Sequence, residues 1–295
     1  MGNSITIAIG DLRVQHLERK MPELPEVETI RRDLAPRIAG RSFVSVTLNW
    51  PRTVQIPSPE AFSRRLVGKC IKELDRRGKY LIFRLASGEA LILHFRMSGS
   101  LLLDPPGEPG PHTRAIFTLD DGGRLHFRDP RKLGMMWLVE DEGEVVGKLG
   151  PEPLSPAFTA DALGEQAKRH SAPIKAMLCD QSLLAGVGNM YADEALFAAA
   201  IHPMRRANSL SAGEIAALHR ALRRVLEEAI EGHGASITDY QRPSGQPGAA
   251  QFTFQVAHRG GQPCPKCGTP IGRIVIRQRG TYLCPHCQRE PECHS

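Results

Sequence analysis

The chain has 295 residues, of which 41% are hydrophobic and 24% charged, and its formal net charge is +6. That length predicts two domains rather than one, and the composition excludes a disordered or low-complexity protein. No apolar run approaches the ~20 residues needed to span a bilayer, and the opening MGNSITIAIGDLRVQ lacks the basic start of a secretory signal, so a cytoplasmic protein with no membrane partner is expected. From Leu24 the pattern becomes helical. Pro25 suits the first turn, Glu26 and Glu28 suit the positive end of the helix dipole, and Val27, Ile30, Leu34 and Ile38 share one face until Gly40 ends it. Short apolar runs bounded by turns follow: FVSVTL, KYLIFRL, ALILHF, AIFTL and RLHF. They predict an antiparallel β-sandwich or barrel.

The stretch LGPEPLSPAF, from Leu149 to Phe158, carries three prolines and separates strands from helices, so a first domain is assigned to residues 21–150. Beyond it, PIKAMLCDQSLL and YADEALFAAAI have helical patterns. Ser211, with Glu214 three residues on, forms a capping box that opens a long helix with Ile215, Leu218, Leu222, Val225 and Ala229 on its apolar face. The helical part is assigned to 151–250, with SGQPG as a mobile loop, and a small β-rich module to 251–295.

Of seven cysteines, four form two Cys-x-x-Cys knuckles, Cys264/Cys267 and Cys284/Cys287, sixteen residues apart. Such knuckles aim two thiolates each at one ion and predict one structural Zn2+ in a closed tetrahedral shell; two disulfides, the competing arrangement, conflict with a reducing compartment. Cys70 and Cys179 lie in apolar surroundings as core residues, and Cys293 sits on the tail. From Gln251 onward, Arg259, Lys266, Arg273, Arg277, Arg279 and Arg289 face only Glu290 and Glu292. A basic hairpin suits phosphate, although a solvated basic face has the same composition. Between two helical patterns, Gly186 and Gly188 flank a valine ahead of Asn189; this is either a tight turn or a place where helix-start amides meet a phosphate.

The motifs MPELPEVETIRRDL, RRGKYLIFRL, HFRMSGSL, FRDPRKLG, LGPEPL, AGVGNMYADEALF and IHP, followed by the four-cysteine finger, make the chain resemble the formamidopyrimidine-DNA glycosylases from Met21 to about Gln288. The resemblance implies an α+β fold: an N-terminal antiparallel β-sandwich flanked by helices, then a helical helix-two-turns-helix domain with the zinc finger. It implies a bacterial, monomeric base-excision enzyme that removes 8-oxoguanine and formamidopyrimidines from double-stranded DNA and cleaves the strand by β,δ-elimination. The nucleophile is then the secondary amine of Pro22, Glu23 the acid/base partner, and Lys79 and Arg279 the supporting phosphate-gripping cations. His112, Asn189, Lys175 and His170 correspond to further DNA contacts. Met97, Arg131 and Leu133 correspond to the side chains that fill the space of an extruded base, Arg131 facing the orphaned cytosine. Without the motif, Glu23 and Glu26 are ordinary helix-start acids, Lys79 a solvated strand-end lysine, and Met97 and Leu133 core residues. Leu133 stands where phenylalanine is frequent, Lys132 replaces a frequent arginine, and QVAHRGGQ departs from the usual tyrosine-glycine-arginine wording. Two other functions remain in view: an endonuclease VIII-like activity on oxidised pyrimidines, and a DNA-binding protein without catalysis.

Twenty residues precede Met21. An internal Pro22 is a tertiary amide with no available lone pair. The proline mechanism therefore requires initiation at Met21 with removal of that methionine, or processing before Pro22, and the first is favoured: residues 1–20 show no targeting pattern, and Glu18-Arg19-Lys20 can be encoded by a purine-rich ribosome-binding stretch.

Overall fold

The computed structural model describes residues 21–237 and 240–290; the extension 1–20 and Cys293 lie outside the described residues. Helix α1 (Leu24–Ile38) opens on a capping box in which Glu23 and Glu26 exchange backbone and side-chain bonds, and it ends before Gly40 at φ +82°. Strands β1 (Phe43–Leu48), β2 (Val54–Ile56), β3 (Ile71–Arg77), β4 (Tyr80–Leu85), β5 (Ala90–His94), β6 (Ser100–Leu103), β7 (Thr113–Leu119), β8 (Arg124–Arg128) and β9 (Met135–Val139) follow, with α2 (Pro59–Leu66) between β2 and β3. They form two sheets, in the orders β1-β7-β8-β6 and β2-β9-β5-β4-β3.

Phe43 spans the space between the sheets, its ring centroid 5.9 Å from Phe117 in its own sheet and 6.4 Å from Phe83 in the other. Val27, Ile30, Leu34 and Ile38 of α1 enter the same core. β5 is buried at all five positions because Ile82, Ile92 and Val139 form a second apolar patch on the outer face of its sheet; a strand covered on both sides has no reason to alternate. One pairing departs from the antiparallel expectation. β2 runs parallel to β9 at the sheet edge. The two are distant in sequence, so no hairpin fixes their relative direction.

After α3 (Gly143–Val146) come α4 (Ala160–Lys168), α5 (Ile174–Leu178), α6 (Asn189–Ala198) and α7 (Ala212–Glu231). The predicted PIKAMLCDQSLL helix closes after five residues, and two turns then carry the chain into α6. The Ser211/Glu214 capping box forms as expected. On α7, Val225 is only partly buried, while Ala221, Leu226 and Ile230 join the core face, widened by contacts with both α4 and α6. Strands β10 (Gly272–Ile276) and β11 (Arg279–Leu283) pair as a hairpin between the cysteine knuckles. α1 packs on β3 and on α7, so it joins both halves. Among the described residues no helix is long and apolar enough to cross a membrane.

Candidate active site and zinc finger

The seam that α1 makes between the halves holds the candidate centre. Pro22 is buried beside a pocket that Glu26, Met97, Met190, Ala235 and Tyr240 also line. Next to it, Leu24 N donates to Gly186 O at 3.0 Å and Met190 N donates to Glu23 Oε1 at 3.2 Å, so the entry to α1 is fastened to the turn before α6. Here the glycines expected to admit a phosphate have another occupant. The anion on the α6 amino terminus is the Glu23 carboxylate, which satisfies the free amides and the positive dipole end of that helix. A Cβ at Gly188 would lie inside that carboxylate, and one at Gly186, where φ is +86°, would meet Leu24 at 2.8 Å.

Glu23 is 3% exposed and its Oε2 has no hydrogen-bond partner among the described residues. Burial pushes its carboxyl above the usual range, against the opposing pull of the Lys79 cation and the amides of Met190, Gly188 and Tyr191. A carboxyl held this way takes up a proton more readily than an ordinary glutamate, which suits a group that relays protons. Glu26 was legible only as a helix-start acid, yet it faces the same pocket. Its Oε2 accepts from Glu23 N at 2.8 Å, and its Oε1 accepts from the Tyr191 hydroxyl at 2.5 Å and Ala235 N at 2.7 Å. Burial raises it to about 7, the Tyr191 hydrogen bond opposing and the nearby Glu23 charge adding to the rise.

Lys79 sits in the two-residue β3–β4 turn, after Gly78, and is 7% exposed. The turn is latched from behind: Gly78 N, Arg76 and Arg77 all donate to Glu152, and Arg77 also reaches Leu149 O at 2.9 Å. Lys175, Arg279, Glu23 and Lys79 all act electrostatically on the buried Cys179 thiol, whose titration burial pushes upward. Residues from four remote stretches of sequence thus converge on one region.

In the finger, the ligand atoms of Cys264, Cys267, Cys284 and Cys287 lie within 4.8 Å of one another. Bonds of about 2.3 Å at tetrahedral angles place sulfurs about 3.8 Å apart. The Cys267–Cys284 and Cys264–Cys287 separations, 3.5 and 3.9 Å, bracket that value, so the donor set fits zinc. The hairpin turn has Arg277 and Gln278 at φ +44° and +63° and leaves Arg279 exposed at its tip.

Lys175 is placed differently from the DNA contact expected of it. Its side chain is buried, with Nζ 2.7 Å from Asp193 Oδ1, and it donates to Thr281 Oγ1 at 2.7 Å and Gly280 O at 3.2 Å. Asn189 Nδ2 donates to the same Gly280 carbonyl at 2.8 Å, and Tyr282 N to Asp193 Oδ2 at 3.0 Å. These bonds seat the hairpin that carries Arg279. Burial raises the Asp193 carboxyl to about 7, with the Lys175 cation opposing. Glu194, the next residue, collects the amides of Gln255, Val256 and Ala257 and so fixes the linker whose wording departs from the motif. His112, Arg131 and Leu133 are exposed, and Met97 is half-buried at the pocket. His170 lies past α4, its carbonyl accepting from Asn208 N at 3.0 Å; among the described residues no hydrogen bond joins it to the other candidates.

Three family models match in order: the formamidopyrimidine-DNA glycosylase N-terminal domain over residues 21–136, the formamidopyrimidine-DNA glycosylase H2TH domain over 149–241, and the zinc finger found in FPG and IleRS over 261–289. The chain belongs to the formamidopyrimidine-DNA glycosylase family. A formamidopyrimidine-DNA glycosylase of Herpetosiphon aurantiacus is 47% identical over 91% of this chain and 100% of that relative. Among solved structures, the MutM (Fpg) protein of Thermus thermophilus superposes with a TM-score of 0.83 at 44% identity, covering 92% of this chain and 100% of that one. A Lactococcus lactis Fpg mutant in complex with Fapy-dG-containing DNA gives 0.84 at 37% identity, covering 91% and 100%. As a member of the formamidopyrimidine-DNA glycosylase family, the chain is a base-excision-repair DNA glycosylase acting on damaged bases, and its finger holds a structural zinc.

Proposed function

We propose that the enzyme removes oxidised purines, 8-oxoguanine and formamidopyrimidines, from double-stranded DNA and then cleaves the strand by β,δ-elimination, with Pro22 as nucleophile. The observation that carries this is the position of Pro22, buried next to Glu23 and lining a pocket that Met97 also lines. Once Pro22 begins the chain, its secondary amine titrates near pH 8, so a sizeable fraction is unprotonated at neutrality. The amine attacks the sugar C1′, the bond to the base breaks, and the base leaves with the glycosidic electron pair and a proton. The nitrogen then loses its proton and its lone pair opens the sugar ring, C1′–O4′ breaking as O4′ takes a proton, which leaves an iminium. Loss of the C2′ proton expels the 3′ phosphate, and loss of the C4′ proton then expels the 5′ phosphate. Glu23 is the proton donor and relay, in keeping with its raised carboxyl.

Lys79 and the exposed Arg279 grip the phosphates that flank the lesion, with His112 and Asn189 as further backbone contacts. Met97, Arg131 and Leu133 fill the vacated stack, which offsets the few kcal/mol that base extrusion costs. Lys175 acts by seating the finger. The division of the chain into catalytic, helical and finger parts at 150/151 and 250/251, and a cytoplasmic location, belong to the same reading. The family match beginning at Met21 supports Pro22 as the functional terminus. Borohydride trapping tests it: a chain beginning at Pro22 should form a covalent adduct with an 8-oxoguanine:C duplex. Failure to trap, or a preference for thymine glycol duplexes, would turn the assignment to a DNA binder or to an endonuclease VIII-like enzyme.

A further inference from the structure

The loops that carry Met97, Arg131 and Leu133 share one buried carboxylate that the chemistry above does not use. Asp129 follows β8 and is 1% exposed. Its Oδ2 accepts from the backbone amides of Leu133 and Gly134, each at 2.6 Å. Its Oδ1 accepts from Arg131 N at 3.2 Å and from the Ser98 hydroxyl, and Ser98 Oγ itself accepts from Arg131 N at 3.3 Å. Ser98 directly follows Met97, so the carboxylate bonds to both wedge-bearing loops at once. The Asp129 backbone extends the knot to a third segment: its amide donates to His112 O at 2.9 Å, and its carbonyl accepts from Arg114 Nε at 2.7 Å.

The loop above this knot has little freedom to find another shape. A Cβ at Gly134 would fall 2.5 Å from the Phe127 ring. Lys132, between the two wedge residues, takes φ +58° and lays its ammonium over the Trp50 ring at 4.0 Å, a brace on the outer side. Leu133 and Arg131 are therefore exposed at the end of a loop that is held by charge-assisted bonds from inside and a cation–π contact from outside.

We infer that Asp129 is a positioning residue that sets Met97 and the Arg131/Leu133 pair in register, and thereby governs how well the enzyme fills the space of an extruded base. The inference rests on the void-filling roles given under Proposed function. An ionised carboxylate has acceptors on both oxygens, whereas an amide of the same shape must turn its NH2 toward N–H donors on one side. Misplacing a positioned group by about 1 Å costs on the order of 100-fold in rate.

The test uses the chain beginning at Pro22 with two substrates. Asp129→Asn should lower excision of 8-oxoguanine from duplex DNA by between about 10- and 100-fold and narrow the preference for cytosine opposite the lesion. Its trapping on a preformed abasic site in single-stranded DNA, where no stack is filled, should match wild type. Ser98→Ala, which cuts the Met97 arm and the Arg131 N bond to Ser98 Oγ but leaves the Asp129 bonds to Arg131, Leu133 and Gly134, should shift the same ratio in the same direction by less, and it serves if the asparagine variant does not fold. Equal losses on both substrates, or an unchanged ratio in both variants, overturns the inference. If the wild type itself neither excises nor traps, the underlying enzymatic reading has failed and the inference falls with it.

Discussion

Several side chains change meaning once their partners are known, and Lys175 does so most. A lysine in a basic, DNA-facing protein suggests a phosphate contact, but here its ammonium is spent on Asp193, Thr281 and Gly280 O. Lys175→Met strands the Asp193 carboxylate in the interior and should cost about 3 kcal/mol in urea unfolding, the usual penalty for halving a buried pair. A solvated phosphate-contact lysine would cost less than about 0.5 kcal/mol. Glu28 offers a second case. Burial pushes its carboxyl up, but hydrogen bonds from Arg31 and Arg32 and the charges of Arg31 and Arg76 outweigh burial and hold it down at about 2. A depressed carboxyl adds stability that is fully present above its unfolded value near 4.5 and is lost as the pH falls toward about 2. Glu28→Gln should therefore lower the melting temperature at pH 7, with the gap to wild type closing between pH 4.5 and 2. A pH-independent gap would remove the ion-pair account.

At the scale of elements, local pattern was informative where one segment decides its own structure. The α1 face, the Ser211/Glu214 cap and the paired knuckles all follow from spacing. The parallel β2–β9 edge, the short α5 and the Glu23 carboxylate on α6 depend on segments remote in sequence, and no local period encodes them. The same distinction applies to the finger. Its fold comes from the cysteines, whereas its aim comes from α5 and α6 through Lys175, Asn189 and Asp193. Cys267→Ser should lose the zinc and unfold the hairpin, since a structural zinc contributes about 10–16 kcal/mol to so small a module. One zinc per chain retained in that variant would contradict the four-thiolate site. Arg279→Ala should keep the zinc, weaken lesion-duplex binding, and reduce the slope of log affinity against log salt by about one, the counterion released by one phosphate contact. An unaltered slope would place Arg279 off the DNA backbone.

For the whole molecule, the proposed proline chemistry turns on the bond before Pro22. The contacts that fasten the entry to α1 begin at Glu23 and Leu24, through Met190 N and Gly186 O, and none of them uses the Pro22 nitrogen. Glu26 then ties α1 to Tyr191 and Ala235 of the helical half, so the seam closes whether or not anything precedes Pro22. Folding and nucleophilicity are thus separable. A chain retaining residues 1–20 should melt at the same temperature as one beginning at Pro22 and hold the same zinc. It should still bind lesion DNA through the finger and Lys79, less tightly where Met21 occupies the pocket. It should give no borohydride adduct, because an amide nitrogen delocalised into its carbonyl cannot attack a sugar carbon. Intact mass of each preparation before trapping shows which terminus was tested. An adduct from the unprocessed chain would exclude proline as its nucleophile. Peptide mapping would then be expected to find the cross-link on Lys79, a buried primary amine within reach of the Glu23 charge.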